Sequence, residues 1–316
     1  MVMRMKKSGR FPLAIGLATL LLLVGCSPVG SEVETSKNFS STQTIQTSGF
    51  GDTEVKTENI ASCESGLKVI FLNVGKGDAI LLRTAESTVL IDTGYTQSGQ
   101  SICDMLLDAG VTQIDALIIS HFDKDHVGGA ATIIRYFNIQ NVYQPDYTEE
   151  NDETAAYQKA LATKGIQPIA LTTICRWELD GVSYELYPAA TTEYADNNDN
   201  NISLLVRATY GEKSFLFTGD IEGERVSEIL SDPDVNLSCD VLKVPYHGIF
   251  YSGLVDFFKA TGASYSVITS SDSQREDNKT VKKLTKNGIL HYLTREGTVV
   301  MTTDGQNLLI DQLDSQ

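Results

Sequence analysis

Three short apolar runs in this chain end abruptly in acid and histidine, and that recurrence limits the fold more than any other feature. "IDALIIS" leads into "HFDKDH" (residues 121–126), "KSFLF" into "TGD" with Asp220, and "CDVLKVP" into "YHG" with His247. Apolar runs of this length, rich in β-branched residues, read as buried strands. Strand ends are where a rigid sheet holds polar side chains at fixed separations while leaving them reachable. A fourth polar stretch, "NNDNNIS" (197–203), immediately precedes a strand and is a candidate to join them.

The rest of the chain reads as alternating elements. "LKVIFLNV", "AILLRT" and "STVLIDTG" are expected strands, and "SICDMLLDAG" a helix that stops at Gly110. "AATIIRYFN", "IEGERVSEILSD", "LVDFFKATG" and "VKKLTKNG" have helical spacing. "VSYELYPA", "ISLLVRATY", "YSVITSS", "HYLT", "TVVMTTDG" and "QNLLIDQL" complete the strands. No internal repeat is present. This mixed pattern fits an α/β domain of sheet layers covered by helices.

The first residues do not belong to that domain. "MVMRMKKSGR" is basic, and "FPLAIGLATLLLLVG" is apolar but shorter than a membrane span. It ends in Leu23-Val24-Gly25-Cys26, which resembles a bacterial lipobox, so residues 1–25 are expected to be a lipoprotein signal peptide. Cys26 then carries a lipid, residues 26–62 form a Ser/Thr-rich linker, and residues 63–316 form the domain. An uncleaved N-terminal anchor is the alternative. Either arrangement puts the domain outside the cytoplasmic membrane of a bacterium.

The net charge is −16, and residues 1–25 hold four bases and no acids, so their removal gives −20. A surface this acidic repels polyanions and argues against a stable nucleic-acid complex. Besides Cys26, the cysteines are Cys63, Cys103, Cys175 and Cys239. Buried free thiols and one or two disulfides are both open, and no spacing suggests a thiolate zinc site.

Within "SHFDKDHVGG", His121 and Asp123 are close enough to address one cation, and Asp125 and His126 a second beside it. Imidazole with carboxylate suits zinc, manganese or iron. Asp220 between two cations, with His247 completing the second site, would let them share a water as hydroxide. Of four histidines in the chain, three fall in these clusters, which chance rarely produces. The bland readings are a solvated acidic loop, a helix-capping Asp220, and an exposed or structural His291.

Together, "FLNVGKGDAILL", "LIDTG", "SHFDKDHVGG", "FLFTGD" and "LKVPYHG" resemble the metallo-β-lactamase superfamily, and more narrowly the extracellular hydrolase domain of ComEC-type competence proteins. The resemblance implies a four-layer αββα sandwich with two divalent metal ions, zinc or manganese, at one edge. It implies His121 and Asp123 as ligands of the first metal, Asp125, His126 and His247 of the second, and Asp220 as the bridge. Asp78 and Asp92 would support the ligand loop from behind. Asn201, Ser203 and Tyr246 would face metal or substrate. Three features depart from the family pattern: Lys76 stands where glutamine is usual, Tyr246 where a first histidine is usual, and "SQREDNKTVKKL" lacks the usual His-Pro.

The expected activity is hydrolysis of a phosphodiester near the membrane, with Asp125 orienting the hydroxide. The resemblance points to DNA, whereas the acidity favours a smaller or teichoic-acid-like diester. An ester, lactone or β-lactam hydrolase and a non-catalytic metal-binding lipoprotein are the competing readings. No protein partner is inferred.

Overall fold

The computed structural model describes residues 2–4, 65–195 and 199–313. The chain divides into two units, and one of them, residues 6–52, lies outside the described residues. The expected signal peptide from residue 5 onward, Cys26, the linker and Cys63 therefore all lie outside them as well.

The described unit begins with β1 (Val2–Arg4). Then come β2 (Leu67–Phe71), β3 (Ile80–Arg83), β4 (Thr88–Ile91), β5 (Gln113–Ile114), β6 (Ala116–Ile118), β7 (Asn138–Ile139), β8 (Val142–Pro145) and β9 (Ile169–Leu171). The second half supplies β10 (Cys175–Leu179), β11 (Val182–Tyr187), β12 (Leu205–Tyr210), β13 (Lys213–Phe217), β14 (Val241–Lys243), β15 (Tyr265–Ile268) and β16 (Leu290–Leu293). It closes with β17 (Val299–Thr303) and β18 (Leu308–Gln312). One sheet has the order β18-β17-β2-β3-β4-β6-β8-β9, and the other β1-β10-β11-β12-β13-β14-β15-β16. Each is antiparallel through its hairpins and turns parallel where helices intervene, at β4-β6-β8-β9 and β13-β14-β15-β16.

The two-residue period of strands sorts side chains into three packed layers. Leu67, Val69 and Phe71 of β2 meet Trp177, Tyr184, Val206 and Phe215 of the other sheet. Ile70 and Leu72 point the opposite way, to helices α1 (Ser98–Asp108), α3 (Ala130–Tyr136) and α4 (Asp152–Lys164). A one-turn helix, α2 (Lys124–Val127), precedes α3. Leu242 of β14 likewise packs outward with α5 (Gly223–Ser231), α6 (Leu254–Thr261) and α7 (Asn278–Lys286). The result is the expected αββα sandwich. Helix α4 and strands β1, β7, β8, β9 and β10 were not anticipated, and β1 falls within the expected signal peptide. Helix α4 is mostly alanine and polar residues, and its ends are set by the Asn151 side chain, which accepts from Thr154 N at 2.7 Å, and by left-handed Gly165.

Candidate metal centre

Every expected site residue except Asp78, Asn201 and Ser203 follows the C-terminal end of a strand. Asp92 follows β4, residues 120–126 follow β6, Asp220 follows β13, and Tyr246 and His247 follow β14. Asp78 lies in the β2–β3 turn, and Asn201 and Ser203 lie just before β12. The ligand loop is pressed tightly onto the segment after β4. A Cβ at Gly128 would lie 2.3 Å from Lys124 O and 2.5 Å from Thr96 N, and one at Gly129 would lie 2.4 Å from Thr93 O. Glycine is required at both positions for this approach, which explains the Gly-Gly pair.

Three imidazoles are each fixed through Nδ1. Asp92 accepts from Ser120 N at 2.7 Å and from Ser120 Oγ at 2.6 Å, and its Oδ2 lies 2.9 Å from His126 Nδ1. Because the Ser120 hydroxyl proton goes to Asp92, its oxygen is left to accept from His121 Nδ1 at 3.0 Å. His247 Nδ1 donates to Thr269 O at 2.9 Å. In each neutral ring the proton therefore sits on Nδ1 and the lone pair on Nε2. All three Nε2 atoms are buried, and none has a hydrogen-bond partner among the described residues.

These nitrogens converge on Asp220. His126 Nε2 lies 3.4 Å from its Oδ1, and His247 Nε2 lies 2.9 Å from its Oδ2. The donor atoms of His121, His126 and Asp220 lie within 4.8 Å of one another, whereas Asp78 faces His126 and His247 at Nδ1, 3.9 and 3.8 Å away, and stands behind the ligands. Two donors on one tetrahedral zinc stand about 3.3 Å apart, so the spacings suit a shared cation. The donor set of nitrogens and carboxylates fits the same ions. Thiolates do not compete: Cys103, Cys175 and Cys239 are free, and burial pushes the Cys103 and Cys239 thiols up to about 12.

The electrostatics also fit a place for positive charge. Burial by itself would depress the His126 imidazole, but Asp220, Asp92 and Asp78 outweigh it and hold the ring well above the ordinary value. Burial likewise works against the His247 imidazolium, and Asp220 and Asp125 reverse the effect. Asp220 is held well below the usual carboxylate range against its own burial, by His247, His126 and Lys243. Where no cation is bound, protons on the imidazoles take its place, and binding one releases them.

Asp125 faces His247 Nε2 at 3.5 Å and Lys76 Nζ at 2.9 Å. Asp123 stands 3.7 Å from His121 Nε2 and is partly exposed. It clusters with Glu149, which the sequence did not signal, and with Asp199 of the polar stretch 197–203. Lys124 is exposed, as expected for the residue between two inward carboxylates. Asp220 does not cap α5, because its carboxylate points into the cluster and Glu222 holds the cap position. His291 lies on strand β16, outside the cluster. Tyr246 and His247 are consecutive left-handed residues with φ 49° at both, a strained turn that aims both side chains. Asn201 Oδ1 accepts from Glu222 N at 2.8 Å, and Ser203 Oγ accepts from Asp220 N at 3.2 Å. These two are buried and brace the Asp220 loop.

Two supporting residues were missed in the sequence. Lys243, fully buried, donates to Asp78 Oδ2 at 2.7 Å and to Gly219 O at 2.8 Å, and lies 3.3 Å from Asp220 Oδ1. Thr269 donates to Asp78 Oδ1 at 2.7 Å while its carbonyl holds His247. The signal for Lys243 was available. It shares strand parity with Val241, so "VLK" places a lysine on the inter-sheet face.

The sequence profile of the Metallo-beta-lactamase superfamily matches residues 72–268. The chain belongs to that superfamily. It is 29% identical over 210 residues to Competence protein ComA of Neisseria gonorrhoeae, covering 66% of this chain and 27% of that one. It is 26% identical over 258 residues to ComE operon protein 3 of Bacillus subtilis, covering 75% of this chain and 32% of that one. It thus spans about a quarter to a third of the length of these curated relatives. Among solved structures, a CmlA β-hydroxylase variant shares the metallo-β-lactamase-like sandwich at a TM-score of 0.55 and 11% identity, over 77% of this chain and 54% of that one. Superfamily members generally are metal-dependent hydrolases, and the cluster above supplies candidate ligands for divalent metal.

Proposed function

We propose that this chain is a metal-dependent phosphodiesterase acting outside the cytoplasmic membrane, anchored through a lipid on Cys26. The observation that carries the reading is the convergence of buried His126 Nε2 and His247 Nε2 on the two oxygens of Asp220, with His121 grouped within 4.8 Å of His126 and Asp220. His121, His126, His247 and Asp220 would hold two divalent cations, zinc or manganese, with Asp123 and Asp125 flanking them. When bound, such cations supply Lewis acidity to a phosphoryl oxygen and lower the pKa of a coordinated water.

The chain's own groups do the rest. Asp92, Ser120 and Thr269 fix the imidazoles in one tautomer, so no reorganisation is needed on binding. Asp220 presents one oxygen to each side of the cluster. Asp125, beside His247 Nε2 and paired with Lys76 through Oδ2, is the carboxylate placed to orient the attacking water. The likeness to competence proteins supports DNA as a candidate substrate, while the net charge of −16 supports a smaller diester.

The test is turnover by purified protein loaded with Zn²⁺ or Mn²⁺ on bis(p-nitrophenyl) phosphate and on single-stranded DNA, beside nitrocefin and an aryl lactone. Hydrolysis of a diester that Asp220→Asn loses is expected. Turnover of nitrocefin or lactone with both diesters left intact would reject the phosphodiester reading in favour of acyl hydrolysis.

A further inference from the structure

We propose that Lys76 is a specificity-determining residue that selects anionic substrates at the metal centre by presenting its ammonium to a substrate oxyanion. The inference rests on the phosphodiesterase reading and goes beyond it, to which charge the site admits.

Lys76 is held in place by its backbone. It sits in the turn Gly75-Lys76-Gly77 between β2 and β3, and the next residue, Asp78, donates its N–H to Asp125 O at 3.1 Å. Asp78 O in turn accepts from Gly94 N at 2.7 Å. A Cβ at Gly77 would stand 2.7 Å from Asp125 O, so only glycine allows the turn to lie this close to the ligand loop. The side chain of Lys76 therefore starts beside the cluster whatever its rotamer. Its Nζ lies 2.9 Å from Asp125 Oδ2, with the side chain 19% exposed, so it reaches both cluster and solvent.

Asp125 has two claimants, Lys76 and any cation beside His247 Nε2. A divalent cation held there would satisfy much of the carboxylate's charge and leave the ammonium free to turn to a substrate oxyanion. Lysine is a compact charge on a flexible four-carbon stem with three donors, so it can swing a few ångströms toward solvent without moving the turn. Asp123, Glu149 and Asp199 form a carboxylate cluster, and Glu222 and Asp123 act on Tyr246. An approaching phosphodiester oxygen finds no other basic side chain pairing with this cluster among the described residues except buried Lys243. A neutral ester or lactone gains little from the ammonium, whereas a phosphoryl oxyanion gains a charge-assisted hydrogen bond.

The experiment is calorimetric titration of inorganic phosphate into the metal-loaded full chain as wild type, K76M and K76R, with metal content measured in each. The expected result is at least tenfold weaker phosphate binding in K76M, unchanged metal content, and recovery of most of the affinity in K76R. Equal affinity in wild type and K76M, no phosphate binding by wild type, or a loss that merely tracks lost metal would each overturn the proposal. Diester turnover on the same samples separates the two readings. Lys76-dependent phosphate binding without any turnover would sink the phosphodiesterase assignment and leave this contact standing. Diester turnover with the same kcat/KM in K76M would do the reverse.

Discussion

Lys243 shows what a single residue contributes to this centre. Removing an ammonium from water costs several kcal/mol, and only close opposite charge offsets that. Its partners Asp78 and Asp220 are themselves buried, so the three residues stand or fall together. Replacing Lys243 by Met strands two buried carboxylates and should cost about 3–5 kcal/mol in metal-free protein, measured by urea unfolding. Zinc should restore more stability to that variant than to wild type, since a cation then supplies the missing charge; equal restoration in both would show that Lys243 does not share the field of the centre. Asp92 acts one step further out, through His126 Nδ1 and Ser120. Asp92→Asn keeps the shape but weakens the anchor of the ring, and a chelator-competition assay should read a metal affinity lowered roughly 10–100-fold. The convergent residues were legible in the sequence because histidines and acids break apolar runs where the runs end. Lys243 was legible but overlooked, since a lysine within a strand ordinarily points to water, although its parity with Val241 gives it away. Glu149 was hidden for another reason: only tertiary packing brings its loop to Asp123.

At the scale of elements, strands with strict alternation or solid apolar runs were mostly read correctly, because burial on one or both faces writes itself into the sequence. Strand β9 escaped because Ile169 and Ala170 are exposed at the sheet edge, whereas β10 alternates in Cys175-Arg176-Trp177-Glu178-Leu179 and was legible but overlooked. Helix α4 escaped because its buried side is thin, carried by Thr154, Tyr157, Ala160 and Leu161. The ligand loop depends on an approach between elements, not on one element. Gly128→Ala puts a methyl group into backbone of residues 96 and 124, and overpacking of this kind costs about 1–3 kcal/mol or more. Thermal unfolding should read it as a Tm lower by roughly 3–10 °C. The turn carrying His247 is held from the other side. Asp277 N donates to Gly248 O, Asp277 Oδ2 accepts from Phe250 N, and the neighbouring Glu276 is gripped by Ser270 and Arg295. Burial would raise the Glu276 carboxyl, but Ser270 and Arg295 hold it below the ordinary glutamate range. A depressed carboxyl gives stability that is present above the unfolded value, near 4.5, and lost as pH falls through the lower folded value. Glu276→Gln should therefore cost about 1–2 kcal/mol at pH 7 and progressively less below pH 4.5. A cost independent of pH would assign the effect to packing instead.

The whole molecule sets a field that the centre must work against. With a net charge of −16, the chain repels a polyanion at long range, even though bound cations and Lys76 would attract a phosphoryl group at short range. Salt separates the two, because screening acts over about 10 Å at 0.1 M and leaves close contacts largely intact. For an oligonucleotide, kcat/KM should rise roughly three- to tenfold between about 20 mM and 150 mM NaCl as repulsion is screened. For a small diester with one charge, the change over the same range should stay within about twofold, because there is little long-range repulsion to remove. A protein that recruits DNA through a basic surface behaves oppositely, losing affinity steeply with salt as counterions are no longer released. The slope therefore reports what surface the substrate meets. A kcat/KM on oligonucleotide that falls with salt would mean that a local basic path, not the net acidity, governs approach, and DNA would then be the natural substrate. A rising slope, with the small diester turned over faster at every salt concentration, would make a compact phosphodiester the better match to this acidic shell.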